Sequence, residues 1–188
     1  MLSALFMENH SLEFVKEDME NSTKKAGILG IGNLLLSDES FGIHVVQHLE
    51  MHYNFPDSVT VMDGGTAGIL MAPFLEEHDP IFVVDVVNLK DKNPGDLFTF
   101  SAEDTRDGSI QTRMSPHQLG ILEMLDICKF RGVEPGTVEF FCVIPKSMET
   151  GLEMSDVVAP QVAKISEKLV ERLVGLGYAI TKKEKEHA

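Results

Sequence analysis

The sequence predicts an α/β fold, a three-layer sandwich in which a central, twisted and mostly parallel sheet has helices on both faces. Short apolar segments alternate with segments of helical spacing along most of the chain. Ile81–Val87 is a run of β-branched and aromatic residues, typical of a strand buried on both faces. Because strand–helix alternation implies right-handed βαβ units, we expect an open sheet with helices above and below it.

Each predicted element has its own signal. Phe41–Tyr53 places Phe41, Val45 and Leu49 at helical spacing. Ser115-Pro116 opens a helix, with Ser as the N-cap and Pro in the first turn. Ser101–Thr112 is polar and predicts an irregular surface loop. The predicted strands are Gly27–Asn33, Val59–Met62, Ile81–Val87, Asp96–Phe100 and Thr137–Ile144, and the other predicted helices are Ile69–Glu77 and Val157–Leu176.

The length of the chain, 188 residues, suits one good core and is short for two domains. We expect a single α/β domain over residues 26–180. Residues 1–25 form an acidic N-terminal appendage, for which disorder and a frayed helix both remain open. They do not resemble a signal peptide, because the apolar stretch Leu2–Met7 is too short and no Lys or Arg precedes it. Residues 181–188 are predicted to be a charged C-terminal tail.

Composition excludes several classes of function. The net charge of −14 argues against nucleic acid, whose phosphates need Lys and Arg, and against anionic membrane surfaces. No apolar run approaches the length of a membrane span. Cys128 and Cys142 lie in apolar runs without Cys-x-x-Cys spacing, which predicts buried free thiols in a reducing, cytoplasmic compartment.

Three widely separated residues, Glu39, Asp85 and His117, are candidate metal ligands. Each lies at the end of a predicted strand or at the start of a helix. In an open α/β sheet, ligands bind outside the carboxyl ends of the strands, so these segments are expected to converge. Two carboxylates and an imidazole would leave a coordination position of a borderline divalent ion open for water or substrate.

Each candidate also has a structural explanation. Asp85 in an apolar strand could be hydrogen-bonded to backbone amides, because a buried carboxylate needs a partner. Glu39 could be favoured by a helix dipole, and His117 could be an ordinary first-turn residue. A serine nucleophile has little support, since neither Ser37 nor Ser115 has a neighbouring His and carboxylate.

A dinucleotide site is the alternative that the first strand suggests. Gly30-x-Gly32 follows that strand, and Asp63 ends the next one, where a ribose-binding carboxylate would lie. However, Leu35 occupies the third glycine position. Asp38 and Glu39 would also repel a pyrophosphate at the start of the following helix.

Five motifs lie along the chain between about Gly27 and the last helix. They are Leu29–Glu39 (LGIGNLLLSDE), Asp63–Gly68 (DGGTAG), Val83-Val84-Asp85, Ser115–Gly120 (SPHQLG) and Val143-Ile144-Pro145. Together, and in this order, they resemble the hydrogenase maturation endopeptidases, which process the large subunit of [NiFe] hydrogenases. Ser40, where glycine or alanine is common in that family, and the N-terminal extension are the departures.

The resemblance implies an α/β peptidase, classed as aspartic-type, that removes a C-terminal extension from the large-subunit precursor once nickel is inserted. It places the metal-binding positions at Glu39, Asp85 and His117. We expect the substrate to supply the nickel, and other divalent ions to be able to occupy the site. Asp38 is a candidate proton acceptor, and Gly64, Gly65 and Thr66 are candidate substrate-binding residues, although a tight turn explains that loop equally well. A non-catalytic nickel-binding chaperone would share the same ligands.

Overall fold

The computed structural model describes residues 25–66, 71–106, 112–113 and 116–184. Within them, a five-stranded sheet has the order β3-β1-β4-β8-β6. Its strands are β1 (Lys25–Ile31), β3 (Val59–Gly65), β4 (His78–Val86), β6 (Leu97–Ser101) and β8 (Val138–Val143). β6 runs antiparallel to β8, and the other pairings are parallel, which confirms the predicted mostly parallel sheet.

Helices cover both faces of this sheet. One face packs against α1 (Phe41–His52) and α5 (Gln161–Gly175). The other packs against α2 (Ala72–Glu77) and α4 (Pro116–Phe130), with α3 (Ala102–Arg106) at its margin. The side chains alternate accordingly along the central strand. Phe82 and Val84 face the first pair of helices, whereas Ile81 and Val83 face the second.

Several short elements of the structure were not predicted from the sequence. α3 occupies part of the segment predicted to be irregular, and residues 107–111 of that segment lie outside the description. Thr181–Lys182 (β9) pairs with Tyr53–Asn54 (β2), so the first residues of the predicted tail contact the end of α1. Asn88–Leu89 (β5) pairs with Thr112–Arg113 (β7). No helix in the described part of the chain is long and apolar enough to cross a membrane.

The strand order reverses between β1 and β4. The chain leaves β1 through α1 to reach β3 on one side, and it returns through α2 to β4 on the other side of β1. In open α/β sheets, such a reversal opens a crevice at the carboxyl ends of the two strands, which is the usual place for a ligand. The candidate site is therefore expected at the ends of β1 and β4.

Candidate functional site

Glu39 lies just beyond the end of β1, in a one-turn 3-10 helix that spans Ser37–Ser40. Its side chain is almost fully buried, with 5% of its surface exposed. The turn folds back tightly on the strand: a Cβ at Gly32 would come 1.9 Å from the Glu39 carbonyl oxygen. Only glycine permits so close an approach, so Gly32 helps to hold the Glu39 backbone at the strand end.

A pair of glycines brings α1 directly onto the sheet. A Cβ at Gly42 would lie 2.3 Å from the carbonyl oxygens of both Ile31 and Val84. A Cβ at Gly30 would in turn lie 2.2 Å from the Gly42 carbonyl oxygen. The first turn of α1 therefore lies against the backbones of β1 and β4, beside the crevice where the strand order reverses.

Asp85 is the eighth residue of the nine-residue strand β4 and is completely buried. Its register partner on β8 is Cys142, a buried cysteine that is not in a disulfide. Strand alternation places Asp85 on the same face as Ile81 and Val83, the face that α4 covers. The carboxylate thus lies at the carboxyl edge of the sheet, as its position in the sequence predicts.

His117 is the second residue of α4 and is partly buried. Its Nδ1 atom is buried and has no hydrogen-bond partner among the described residues. A buried polar atom without a partner is costly, and a ligand that binds there is one explanation for it. The predicted N-cap, Ser115, lies outside the described residues.

The three candidate ligands do not form a closed metal cage. Among the residues the structure describes, no group of three His, Cys, Asp or Glu side chains is arranged to hold a metal ion. The fold places Glu39 and Asp85 at the ends of neighbouring strands and His117 at the start of a helix that covers one of them. Their joint role as ligands remains a prediction.

Asp38 has a different environment from its neighbour. It is completely buried, and its carboxylate accepts four hydrogen bonds. The donors are the backbone N–H groups of Lys146, Ser147 and Ser155 and the hydroxyl of Ser155. Proton transfer by Asp38 remains a prediction, but these contacts tie it to the segment that follows β8.

The loop after β3 is a tight turn. Gly65 has a φ of +50°, and its N–H donates to Asp63 Oδ1 at 2.9 Å. The Gly65 carbonyl accepts a hydrogen bond from Gly32 N–H, which joins the turn to the end of β1. A Cβ on Gly65 would meet nothing within 4 Å, so space above the turn is open. Contact of Gly64, Gly65 and Thr66 with a substrate remains a prediction.

Sequence reasoning did not anticipate an apolar surface beside these residues. The loop after β1 and the loop after β8 pair through a bridge between Leu36 and Gly151. Together they expose large apolar side chains, although single exposed leucines are common on protein surfaces. Their clustering on two paired loops next to Glu39 is less usual and suggests a contact surface. The residues are Leu34, Leu35, Met148 and Leu152, which are 42%, 61%, 37% and 72% exposed.

The same segment carries an exposed ion pair. Lys146 Nζ lies 2.7 Å from Asp156 Oδ1, and the ammonium group holds the pKa of Asp156 below its ordinary value, chiefly through this hydrogen bond. Both side chains are at least half exposed, so solvent screens the pair and its contribution to stability is small. Asp156 also lines an open surface groove of about 840 Å³ between residues 94–97 and α5. Neither carboxylate of the candidate site lines that groove.

The fold and the site define an α/β protein with buried carboxylates at the crevice of its sheet. Comparison with known proteins gives the family. The family model of the hydrogenase maturation proteases matches residues 43–172, more than half of the chain. The chain belongs to the hydrogenase maturation protease family.

Individual relatives agree with this assignment. The hydrogenase 2 maturation protease of Escherichia coli (strain K12) is 32% identical over 146 residues, which cover 78% of this chain and 88% of that protein. The structure of the hydrogenase maturating endopeptidase HybD from E. coli superposes with a TM-score of 0.78 at 30% identity, covering 85% of this chain and 98% of HybD. The hydrogenase 2 maturation peptidase from a Thaumarchaeota archaeon has a TM-score of 0.61 at 31% identity, covering 79% and 97%.

These results confirm the resemblance that the motifs indicated. They do not support the two alternatives, a nucleotide-binding oxidoreductase and a non-catalytic chaperone, because the matched relatives are named as maturation proteases or hydrogenase formation proteins. The structure also gives Asp63 a local role in the turn at Gly65. That contact explains an acidic residue at the end of β3 without a ribose.

Proposed function

We propose that this protein is an endopeptidase that removes the C-terminal extension of a [NiFe] hydrogenase large-subunit precursor after nickel insertion. We further propose that it recognises the nickel in its substrate through Glu39, Asp85 and His117. The observation that carries the proposal is the placement of two buried carboxylates at the ends of neighbouring parallel strands, in a chain of this family. A cytoplasmic location is the matching expectation, because nickel insertion precedes cleavage.

The chemistry of the three side chains suits a metal held mainly by another protein. Carboxylate and imidazole are adequate ligands for nickel, but they compete poorly with thiolates. A precursor that already holds nickel would gain ligands only by docking here. Docking would therefore be favourable for a metallated precursor and weak for an empty one, so differential binding would make cleavage depend on correct assembly.

Hydrolysis needs a water molecule activated beside the scissile peptide. A carboxylate at the site can accept a proton from this water as its oxygen attacks the carbonyl carbon. When the C–N bond breaks, the leaving amine takes up a proton. Docking of a cationic group of the substrate would also compensate the negative charge of the buried Glu39 and Asp85 carboxylates.

The test compares nickel-loaded and nickel-free precursor as substrates of the purified protein. We expect wild-type protein to cleave only the loaded form, and Glu39→Gln and His117→Ala to leave it uncut. Glu50→Gln, which changes an exposed carboxylate of α1, is the control and should cleave normally. Circular dichroism should show that every variant is folded.

Calorimetric titration of nickel into the enzyme alone completes the test. We expect weak binding, because the three proposed ligands are two carboxylates and an imidazole and include no thiolate. Efficient cleavage of nickel-free precursor combined with tight, stoichiometric nickel binding by the free enzyme would refute recognition through the substrate's metal. Such a result would instead describe an ordinary metallopeptidase.

A further inference from the structure

We propose that Asp38 is a positioning residue that fixes the segment 146–155 against the Glu39 turn and thereby sets the binding of the precursor. This inference rests on the proposed function, because its readout is precursor cleavage. It assigns to Asp38 a role other than proton transfer. The evidence lies in the number, direction and sequence separation of the hydrogen bonds that its carboxylate accepts.

The carboxylate is saturated by donors from one distant segment. Oδ2 accepts from the N–H groups of Lys146 and Ser147, at 2.8 and 2.9 Å, and from the Ser155 hydroxyl at 2.9 Å. Oδ1 accepts from Ser155 N–H at 2.7 Å. A carboxylate offers about four acceptor positions, so this one has little capacity left to accept a hydrogen bond from a catalytic water. Hydrogen bonds to an ionised acceptor are also the strong ones, which suits a structural anchor.

The backbone reinforces the same connection. Asp38 N–H donates to the Ser147 carbonyl at 3.2 Å, and Ser37 N–H donates to the Gly151 carbonyl at 2.8 Å. Gly151 N–H donates in turn to the Leu35 carbonyl at 2.9 Å. The segment 146–155 is thus attached to the chain around Glu39 by the backbone hydrogen bonds of Ser37, Asp38 and Gly151. The Asp38 side chain adds a further connection.

A strained residue shows that this arrangement is imposed on the turn. Ser37 has a φ of +39°, a conformation that is uncommon for residues other than glycine. Such strain persists only where surrounding contacts over-determine the backbone. Ser37 immediately precedes Asp38, and Glu39 follows, so releasing the Asp38 contacts would let the turn relax and would move the Glu39 carboxylate.

Loss of the Asp38 contacts should affect binding of the precursor more than the cleavage step itself. The anchored segment carries Met148 and Leu152, and the loop between β1 and the Glu39 turn carries Leu34 and Leu35, all of them exposed. Their relative position depends on the Asp38 contacts. If Asp38 positions them, its loss should weaken precursor binding while the bound complex still reacts. If it transfers the proton, its loss should abolish turnover while binding persists.

The experiment measures kcat and KM for nickel-loaded precursor with Asp38→Asn, Ser155→Ala and Ser155→Thr. Asp38→Asn turns one carboxylate oxygen into a donor that faces other donors, and we expect KM to rise about tenfold or more with kcat within about twofold of wild type. Ser155→Ala should raise KM by a smaller factor, and Ser155→Thr, which keeps the hydroxyl, should restore it. Combining Asp38→Asn with Ser155→Ala should add little, because both changes break the same contacts.

Asp156→Asn is the matched control. It changes an exposed carboxylate that follows Ser155 in the sequence and accepts a hydrogen bond from Lys146 Nζ. This variant should leave kcat and KM unchanged.

Loss of kcat at unchanged KM in Asp38→Asn would overturn the inference in favour of proton transfer. A lowered stability with wild-type kcat and KM would also overturn it, since the contacts would then serve only the fold. If Asp38→Asn does not fold, the comparison of Ser155→Ala with Ser155→Thr decides, and equal KM values would refute the inference. Absence of cleavage by the wild-type protein would instead refute the proposed function on which the inference depends.

Discussion

The close packing of α1 on the sheet predicts that Gly42→Ala will both destabilise the protein and impair its activity. The added Cβ would lie 2.3 Å from two carbonyl oxygens and 2.7 Å from the backbone nitrogen of Ile31. These are backbone atoms of β1 and β4, which cannot rotate away as a side chain would. Because ordinary contacts at carbon begin near 3.5 Å, the first turn of α1 must move outward by about 1 Å.

The expected magnitude follows from two opposing effects. Overpacking a rigid contact costs roughly 3 kcal/mol, and alanine regains about 1 kcal/mol relative to glycine through its helix propensity. The free energy of unfolding should therefore fall by about 2 kcal/mol. For a domain of this size, that change lowers the melting temperature by roughly 4–8 °C. Glu39 lies three residues before Gly42, so the same displacement should lower precursor processing by about tenfold or more.

Thermal unfolding by circular dichroism and precursor cleavage test this prediction together. Gly175→Ala is the control, because Gly175 is the last residue of α5 and a Cβ there would meet nothing within 4 Å. That variant should be equally or slightly more stable, by about 0.5 kcal/mol, and fully active. A melting temperature for Gly42→Ala within 1 °C or so of wild type would show that α1 can shift freely, and it would refute the close-packing argument.

Two further predictions concern charge and surface. Asp85→Asn should abolish cleavage of the precursor. The urea midpoint of unfolding should stay at or above that of wild type, because the change replaces a fully buried carboxylate by a neutral group of the same shape. A wild-type rate of cleavage would show that Asp85 does not belong to the site. Leu35→Ser should lower kcat/KM for the precursor more than Leu176→Ser does, because Leu35 lies on the exposed apolar surface beside Glu39, whereas Leu176 lies just beyond α5. Equal effects of the two leucine changes would mean that this surface does not contact the substrate.

Periodicity and strand alternation were sufficient to predict the layers of the fold. The run Ile81–Val87 predicted a doubly buried strand, and β4 spans His78–Val86 with its apolar residues divided between two cores. The spacing of Phe41, Val45 and Leu49 likewise predicted α1, and all three residues are buried. Local sequence specifies these elements because each depends on which side chains face a core.

Contacts between distant segments were not predictable in the same way. Asp38 meets its partners more than 100 residues further along the chain, where Lys146 and Ser155 donate to it with separations of 108 and 117 positions. A lone acidic residue before Glu39 gives no sign of such partners in the sequence. α3 was missed for a related reason, since Ala102–Arg106 is a single short helix with no apolar period long enough to detect.

The positions of glycine and aspartate together explain how a small fold holds two buried carboxylates at the ends of neighbouring strands. Gly32 and Gly42 let the chain approach the sheet so closely that Glu39 lies at the end of β1, and the backbone of β4 carries Asp85 to the neighbouring position. The Asp38 carboxylate then holds the segment 146–155 against the turn that carries Glu39. The scaffold around both carboxylates is therefore fixed by backbone contacts. If the protein receives nickel only with its substrate, as proposed above, a scaffold fixed in this way would spare it from rebuilding the site at every docking event.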